Sequence, residues 1–574
     1  MTIPGLLSRS LIRDRSWNFL MDAAVFGTLL AIGFSMVRIA QYWFSAPVSA
    51  VEISLAPSAI PRYAFYSLVR MAVAYLLSLF FAIGYGYVAA YNKRLEAIML
   101  AILDILQSIP VLSFLPGVML AMVSLFPSRQ LGVEFGSIVL IFTGQVWNMA
   151  FSFYASLKAI PRELMEASRI YRYSGLQRFL QLELPQGAIG LVWNSMVSVA
   201  GGWFFLMACE MFVLGKRDFR LPGLGSYLQS AASAGDTGAI VWGIAAMIGV
   251  VVLIDQLIWR PAIAWSDKFK LEQVESSDAH SSFILDLVHK SPILTRMRQK
   301  ITLPLMERIY RAAANRHSES EAPPSKWQRA FWAMGGIVAA LAILHGVFQG
   351  LLVLRAVSPS DVLTTIESAG ATFLRVLASL VIASAWTIPA GVAIGFNPRL
   401  ARIAQPVAQV AASVPATALF PVLLLGLVRF GGGLNTGSIL LMLLGTQWYI
   451  LFNVIAGAIA IPSDLKEAAD IFRFSSLDRW RIVILPGIFP YLVTGLVTAS
   501  GGAWNASIVA EYFHFQGKVL STFGLGAEIS SATDSGNFAL LLLSTVVMAT
   551  LVVSVNRLVW RPLYRLAESR YRLE

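Results

Sequence analysis

Apolar runs of about twenty residues or more recur along the whole chain, near 17–43, 64–90, 98–123, 132–157, 188–214, 237–260, 328–354, 370–396, 402–428, 436–460, 488–512 and 536–560. A run of that length matches the hydrocarbon core of a bilayer, about 30 Å thick. Inside lipid each backbone N–H and C=O must be satisfied within its own segment, so each run has to be a helix. Composition agrees: 57% of the 574 residues are hydrophobic and only 13% are charged, roughly half the soluble norm. The expected fold is an all-α polytopic membrane protein with twelve transmembrane helices. The first run is too long for a signal-peptide core and is followed by no small-residue cleavage site, so it is read as a span.

The 44 basic residues exceed the 32 acidic ones, giving a formal charge of +12. Much of the excess flanks the spans. Arg9, Arg13 and Arg15 precede the first, Lys93 and Arg94 separate the second from the third, and Arg399 and Arg402 separate the eighth from the ninth. Arg557, Arg561, Arg565, Arg570 and Arg572 follow the last. Under the positive-inside rule these segments are cytoplasmic, which places both termini inside. No aromatic-interleaved basic stripe is present, so nucleic-acid binding is set aside. Cys209 is the single cysteine, which excludes an intrachain disulfide and a multi-cysteine metal site. It reads as apolar filler in a membrane helix.

The chain is also a duplication. "EASRIYRYSGLQRFLQLELP" from Glu166 and "EAADIFRFSSLDRWRIVILP" from Glu467 share nine of twenty positions. At the same offset of 301, Trp147 aligns with Trp448, Trp203 with Trp504, Glu210 with Glu511, Gly223-Leu-Gly with Gly524-Leu-Gly, and Trp259-Arg-Pro with Trp560-Arg-Pro. Upstream the offset is 305: Arg70 aligns with Arg375, Asn92 with Asn397, and Ser108-x-Pro110 with Ser413-x-Pro415. The expected units are 1–260 and 328–574, with a charged cytoplasmic linker over 261–327. Six spans per unit is an even number, so the two are expected to be parallel repeats related by a pseudo-twofold axis along the membrane normal.

The repeated polar segments, 161–187 and 462–488, follow the fourth span of each unit, on the cytoplasmic side. Each opens with Pro and an acidic first turn, Pro161-Arg-Glu and Pro462-Ser-Asp, which is helix-start chemistry. A short amphipathic helix follows, Ser174 or Ser475 marks a break, and a second stretch climbs to Leu-Pro. A short helix across the mouth of a bundle suits a groove on another protein. With the Glu-to-Pro spacing of nineteen, this segment resembles the EAA loop of ABC-importer permeases. Arg70 and Arg375, the "GGWFFLMACEM" and "GGAWNASIVAEYF" runs and the GLG after each resemble the nitrate, sulfonate, taurine and bicarbonate branch. The resemblance covers about 64–261 and 370–562. That family usually carries Gly six residues after the Glu. Arg172 and Arg473 stand there, which suggests a differently shaped loop or an added charged contact.

The resemblance implies two permease domains fused in one chain, lodged in a bacterial inner membrane. Two ATP-binding subunits would dock at Glu166, Ala167, Arg172, Ser174 and Gly175, and at Glu467, Ala468, Arg473 and Ser475. An extracytoplasmic solute-binding protein would deliver a small anion. The chain has no G-x-x-x-x-G-K-[ST] phosphate loop. It would therefore bind no cofactor itself, with ATP and Mg²⁺ held by the partner subunits, and it is not expected to be an enzyme.

Intramembrane polar residues are functional suspects because they are costly in lipid. Asn194, Trp203, Trp504 and Asn505 in the fifth spans, with Gln145, Trp147, Gln447 and Trp448 in the fourth, are candidates for a pathway lining. Close helix packing is the competing reading of the Gly-Gly pairs beside Trp203 and Trp504. Glu210 and Glu511, at the outer ends of the fifth spans, would repel an anion and suit a structural or gating role. Arg70 and Arg375, near the outer ends of the second spans, would either snorkel to headgroups or act in packing or anion attraction. The alternative class is a twelve-span secondary transporter. That would call for intramembrane carboxylates to couple ions, and few acidic residues fall in the spans. A membrane enzyme would need a catalytic cluster that the five histidines do not form.

Overall fold

The computed structural model describes residues 52–126, 129–214, 217–269, 344–429, 433–515 and 518–570, with isolated positions between 300 and 341. The expected first span, 17–43, and the expected linker beyond 269 lie outside the described residues, those isolated positions apart. Each unit contributes eight principal helices in the same order. In the first these are α1 (Ile60–Tyr91), α2 (Glu96–Ser108), α3 (Leu115–Leu125), α4 (Arg129–Lys158), α5 (Arg162–Ile170), α6 (Leu184–Glu210), α7 (Leu224–Ala234) and α8 (Thr237–Ile254). In the second they are α9 (Pro359–Phe396), α10 (Pro398–Ser413), α11 (Ala416–Arg429), α12 (Leu434–Ala460), α13 (Ser463–Ile471), α14 (Leu485–Ala510), α15 (Leu525–Ser535) and α16 (Phe538–Val555).

Eight helices among the described residues are long and apolar enough to cross a bilayer. Of the expected run at 328–354, the continuously described part, Leu344–Leu354, is an apolar helix. The expected third span of each unit is not one continuous helix. Ile109 and Val414 are extended, at ψ 129° and 117°, because the ring of the following Pro110 or Pro415 disfavours helical backbone at the residue before it. The α2 and α3 pieces, 13 and 11 residues long, reach only about 20 and 17 Å at 1.5 Å per residue. In the first unit the chain turns through 82° at this break.

Local signals set the other boundaries. Ser358 caps α9 by accepting the Asp361 N–H at 3.1 Å, with Pro359 opening the helix. The turns between α7 and α8 and between α15 and α16 are copies of each other. Gly235 and Gly536, both at φ 70°, end one helix, and Asp236 or Asn537 caps the next. Among the described residues, the strands form a small antiparallel hairpin after each fifth-span helix. Val213–Leu214 pairs with Arg217–Asp218, and Tyr512–Phe515 with Lys518–Ser521.

Within each unit α1, α4 and α6, or α9, α12 and α14, form the tightest packing. The units embrace reciprocally. Helix α6 packs on α11, while α14 packs on the turn Val111–Phe114 beside α3; α8 packs on α10, while α16 packs on α2. Ile105 and Ile109 meet Ala549 and Val553 in one apolar cluster, and the Thr545 hydroxyl donates to the Ser113 carbonyl at 3.4 Å. Each unit therefore presents its broken third span to the fifth and sixth spans of the other, which is the contact pattern of a pseudo-twofold pair.

Candidate functional site

Two places in each unit hold polar side chains in the same geometry twice. The first is the helix–turn–helix after α4 and α12. Helix α5 ends in a Schellman cap: the Tyr173 N–H bonds the Ser168 carbonyl at 2.9 Å and the Arg172 N–H bonds that of Arg169 at 3.0 Å. The same bonds close α13, from Phe474 to Ala469 at 3.0 Å and from Arg473 to Asp470 at 3.1 Å. Such a cap needs a left-handed residue at its turn. Arg172 and Arg473 supply it at φ 51° and 50°, the two non-glycine residues with positive φ among those described. The bend that glycine would make is thus kept, at roughly 1–2 kcal/mol each. The two arginines hold the left-handed conformation at the turn themselves and carry its strain.

Ser174 then caps the next turn in a capping box with Gln177, and Ser475 accepts the Asp478 N–H at 3.2 Å. Glu166, Arg172, Gly175, Glu467, Arg473 and Ser475 are exposed; Ala167 and Ala468 are half-buried, and Ser174 is buried. The largest exposed apolar groups here fall at the cap. Ile170 and Tyr171 are 78% and 75% exposed, and Ile471 and Phe472 are 76% and 73% exposed. The aromatic rings flanking each left-handed arginine lie near one another, 6.5 Å apart for Tyr171 and Tyr173 and 6.3 Å for Phe472 and Phe474. Behind the second loop a cavity of about 350 Å³ is lined by Leu465, Ala468, Ala469, Phe472, Pro486 and Arg570, among others. Each capped turn thus carries two neighbouring apolar side chains on its exposed surface, in the same place in both units.

The loops are tied down differently. Glu183, fully buried, accepts from the Tyr91 hydroxyl and from Arg178 Nε, both at 2.7 Å. The second unit has Phe396 and Ile484 at the equivalent positions. There Arg479 instead pairs with Asp470, and Lys466 lies 4.6 Å from the Phe396 ring centre.

The second place is a buried ion pair at the opposite end of the bundle. Arg70 Nη1 donates to Glu210 Oε1 at 2.8 Å, and the Ser67 hydroxyl donates to the same oxygen at 2.7 Å. The Gly225 N–H donates to Glu210 Oε2 at 2.8 Å, so the carboxylate also faces the start of α7. In the second unit Arg375 Nη1 donates to Glu511 Oε1 at 2.9 Å, Thr372 donates at 2.9 Å and the Gly526 N–H at 2.8 Å. Arg70 and Arg375 further cap the carbonyls of Pro222 and Phe523. Arg70 is 4% exposed and Glu210 and Glu511 are fully buried, so Arg70 does not snorkel. The GLG motif is explained as well: a β-carbon on Gly223 or Gly524 would overlap the Glu210 or Glu511 carboxylate. The remaining partner differs, since Arg70 also holds Glu134 in a two-bond fork at 2.5 and 2.7 Å, whereas Arg375 reaches Asn435 at 3.2 Å.

The mid-span candidates are buried or half-buried among the helices. Trp203 and Trp504 are each 1% exposed, with Trp504 stacked on Phe373 at 6.4 Å. Gln145 is fully buried against Met71 and Gly202, while Trp147 meets the edge of Phe81. Asn194 bonds Ser152 at 3.0 Å; Asn505 bonds its own helix at Gly501. Gln447 is buried, and Trp448 lies edge-on to Trp386. The buried Gln145 Oε1, Trp504 Nε1 and Asn505 Oδ1 have no hydrogen-bond partner. The two units meet at this level, where a β-carbon on Gly201 would lie 3.6 Å from the Tyr449 hydroxyl.

Ser67, Thr372, Glu134 and Asn435 were not singled out in the sequence. A signal for the first pair existed, a hydroxyl three residues before each arginine in both copies.

The sequence model for binding-protein-dependent transport system inner membrane components matches residues 82–258 and again 387–573. The chain is similar to the nitrate import permease protein NrtB of Leptolyngbya laminosa, 28% identical over 189 residues, 33% of this chain and 64% of the relative. It is also similar to the taurine transport system permease protein TauC of Escherichia coli, 30% identical over 164 residues, 29% of this chain and 56% of the relative. The bicarbonate transport system permease protein CmpB of Synechococcus elongatus is 31% identical over 141 residues, 25% of this chain and 49% of the relative. The chain spans less than two thirds of the length of each of these three.

Proposed function

Since the chain belongs twice over to the family of binding-protein-dependent transport system inner membrane components, we propose that it is the complete translocation body of an ATP-driven importer, two permease units fused as one. The observation that carries this reading is the pair of solvent-exposed loops after α4 and α12, each closed by the same left-handed helix cap. On this reading each loop seats one ATP-binding subunit, with Ile170-Tyr171 and Ile471-Phe472 entering its groove. Glu166 and Glu467 lie on the exposed side of the same helices. ATP and Mg²⁺ belong to those subunits and none to this chain. Family membership favours this over a secondary transporter.

The loops and the Arg–Glu pairs occupy opposite membrane faces. Glu134, held by Arg70, and Lys158, just before the first loop, are 24 residues apart on α4, about 36 Å at 1.5 Å per residue. We place the loops and both termini in the cytoplasm and the Arg–Glu pairs outside, in a bacterial inner membrane. A solute-binding protein then docks on the outer face. The nitrate, taurine and bicarbonate permeases among the relatives point to a small anion as solute. Helix α6 begins beside the first loop and ends at Glu210. Loop movement at one end becomes pivoting, because Arg70, Ser67 and the start of α7 hold the other.

Reconstitution tests the proposal. With its ATP-binding subunits and solute-binding protein, the chain takes labelled nitrate, taurine or bicarbonate into proteoliposomes only when ATP is supplied to the loop side. Uptake driven by an ion gradient, with no response to ATP, overturns it.

A further inference from the structure

The duplication makes each unit a control for the other, and at the outer end of the bundle the two differ. In the first unit Tyr63 of α1 and Tyr227 of α7 fill the space between those helices. Their rings lie 6.1 Å apart, and the residues are 2% and 0% exposed. Their hydroxyls are used locally, Tyr63 accepting from the Ser54 N–H at 3.0 Å and Tyr227 donating to the Leu55 carbonyl at 3.1 Å. The register is fixed by Ser67 matching Thr372 and Gly225 matching Gly526, since each pair makes the same bond to its glutamate. In that register Ser368 and Glu528 replace the two tyrosines.

The space so opened is a cavity of about 250 Å³ lined by Asp361, Thr364, Ser368, Tyr512, Glu528 and Ser531, among others. Glu528 Oε1 accepts from the Thr365 hydroxyl. Its Oε2 is shielded from solvent and has no hydrogen-bond partner, and no Lys, Arg or His lines the cavity among the described residues. A shielded carboxylate oxygen without a donor is costly, and a cationic donor repays most. The volume falls below the range of about 300–1,000 Å³ typical of small-molecule pockets, which suits one inserted side chain better than a whole solute.

We infer that this cavity seats one basic side chain, an ammonium or guanidinium, presented by the solute-binding protein, and that the second unit alone takes it. The inference rests on the importer reading and its orientation. Docking is then asymmetric: the first unit offers a closed tyrosine-packed surface, and the second an acidic socket with Asp361 at its rim.

The test titrates the purified solute-binding protein that stimulates ATP hydrolysis by the reconstituted complex onto the whole transporter in lipid nanodiscs. Glu528→Gln keeps the shape and removes the charge; it is expected to weaken binding at least tenfold and to flatten its dependence on salt. The double change Ser368→Tyr/Glu528→Tyr, which copies the first unit, is expected to do the same. Retention of the ATP-binding subunits shows that either variant is folded. Binding unchanged in both variants overturns the inference and leaves the importer standing. If no solute-binding protein binds or stimulates the unaltered complex, both fall together.

Discussion

Gly223 lies directly over the carboxylate of Glu210, so close that a β-carbon there would overlap its Cδ and both oxygens. That carboxylate is held by Ser67, Arg70 and the Gly225 N–H. It cannot swing aside without losing charged hydrogen bonds worth about 1.5–3 kcal/mol each. Gly223→Ala is therefore expected to lower stability by at least about 2 kcal/mol, read as a fall of several degrees in detergent-solubilised thermal unfolding. Gly249→Ala, where a β-carbon meets nothing within 4 Å, serves as the control and should not destabilise.

The two arginines are not equivalent: Arg70 is buried and Arg375 half-buried. Arg70 compensates Glu210 and Glu134, whereas among the described residues Arg375 compensates Glu511 alone. Removing one partner of a buried pair costs about 3–5 kcal/mol. Arg70→Ala should therefore destabilise more than Arg375→Ala in the same unfolding measurement. The reverse order would contradict the charge accounting.

Arg172 and Arg473 bear left-handed strain that glycine would not. Arg172→Gly/Arg473→Gly is expected to leave stability unchanged or raise it by up to about 1 kcal/mol per site, the strain relieved less the chain entropy glycine loses. A β-branched residue is worse placed than arginine at positive φ, so Arg172→Val is expected to lower stability. Circular-dichroism melting of the three proteins checks the order.

The apolar knobs separate docking from folding. Ile170 and Ile471 are about three-quarters exposed, so Ile170→Asp/Ile471→Asp should change stability by no more than about 0.5 kcal/mol. Binding of the ATP-binding subunits is expected to weaken at least tenfold, measured by surface-immobilised titration. A stability loss matching the binding loss would place these residues in the fold rather than in the interface.

Much of this was legible because the chain states it twice. The spacing from Glu to Leu-Pro located both loops, and the offset of 301 paired Glu210 with Glu511 and the two GLG motifs before any contact was known. What escaped was three-dimensional. The apolar content of 98–123 and 402–428 reads as one span each, yet a single proline outweighs it, since backbone geometry at Ile109 and Val414 acts locally while hydropathy averages over twenty residues. The Arg–Glu pairing joins residues 140 and 136 positions apart, which no periodicity encodes. The left-handed backbone at Arg172 and Arg473 was hidden as well, because the sequence names the side chain whereas hydrogen bonds around the cap fix the backbone.

The most direct measurement of the central claim is the number of ATP-binding subunits held by one purified chain, counted by native mass spectrometry. Two are expected on the unaltered chain, one on Glu166→Lys, one on Glu467→Lys and none on the double variant. A chain that holds no ATP-binding subunit, or whose count ignores both substitutions, contradicts the claim that these two loops are where the transporter is driven.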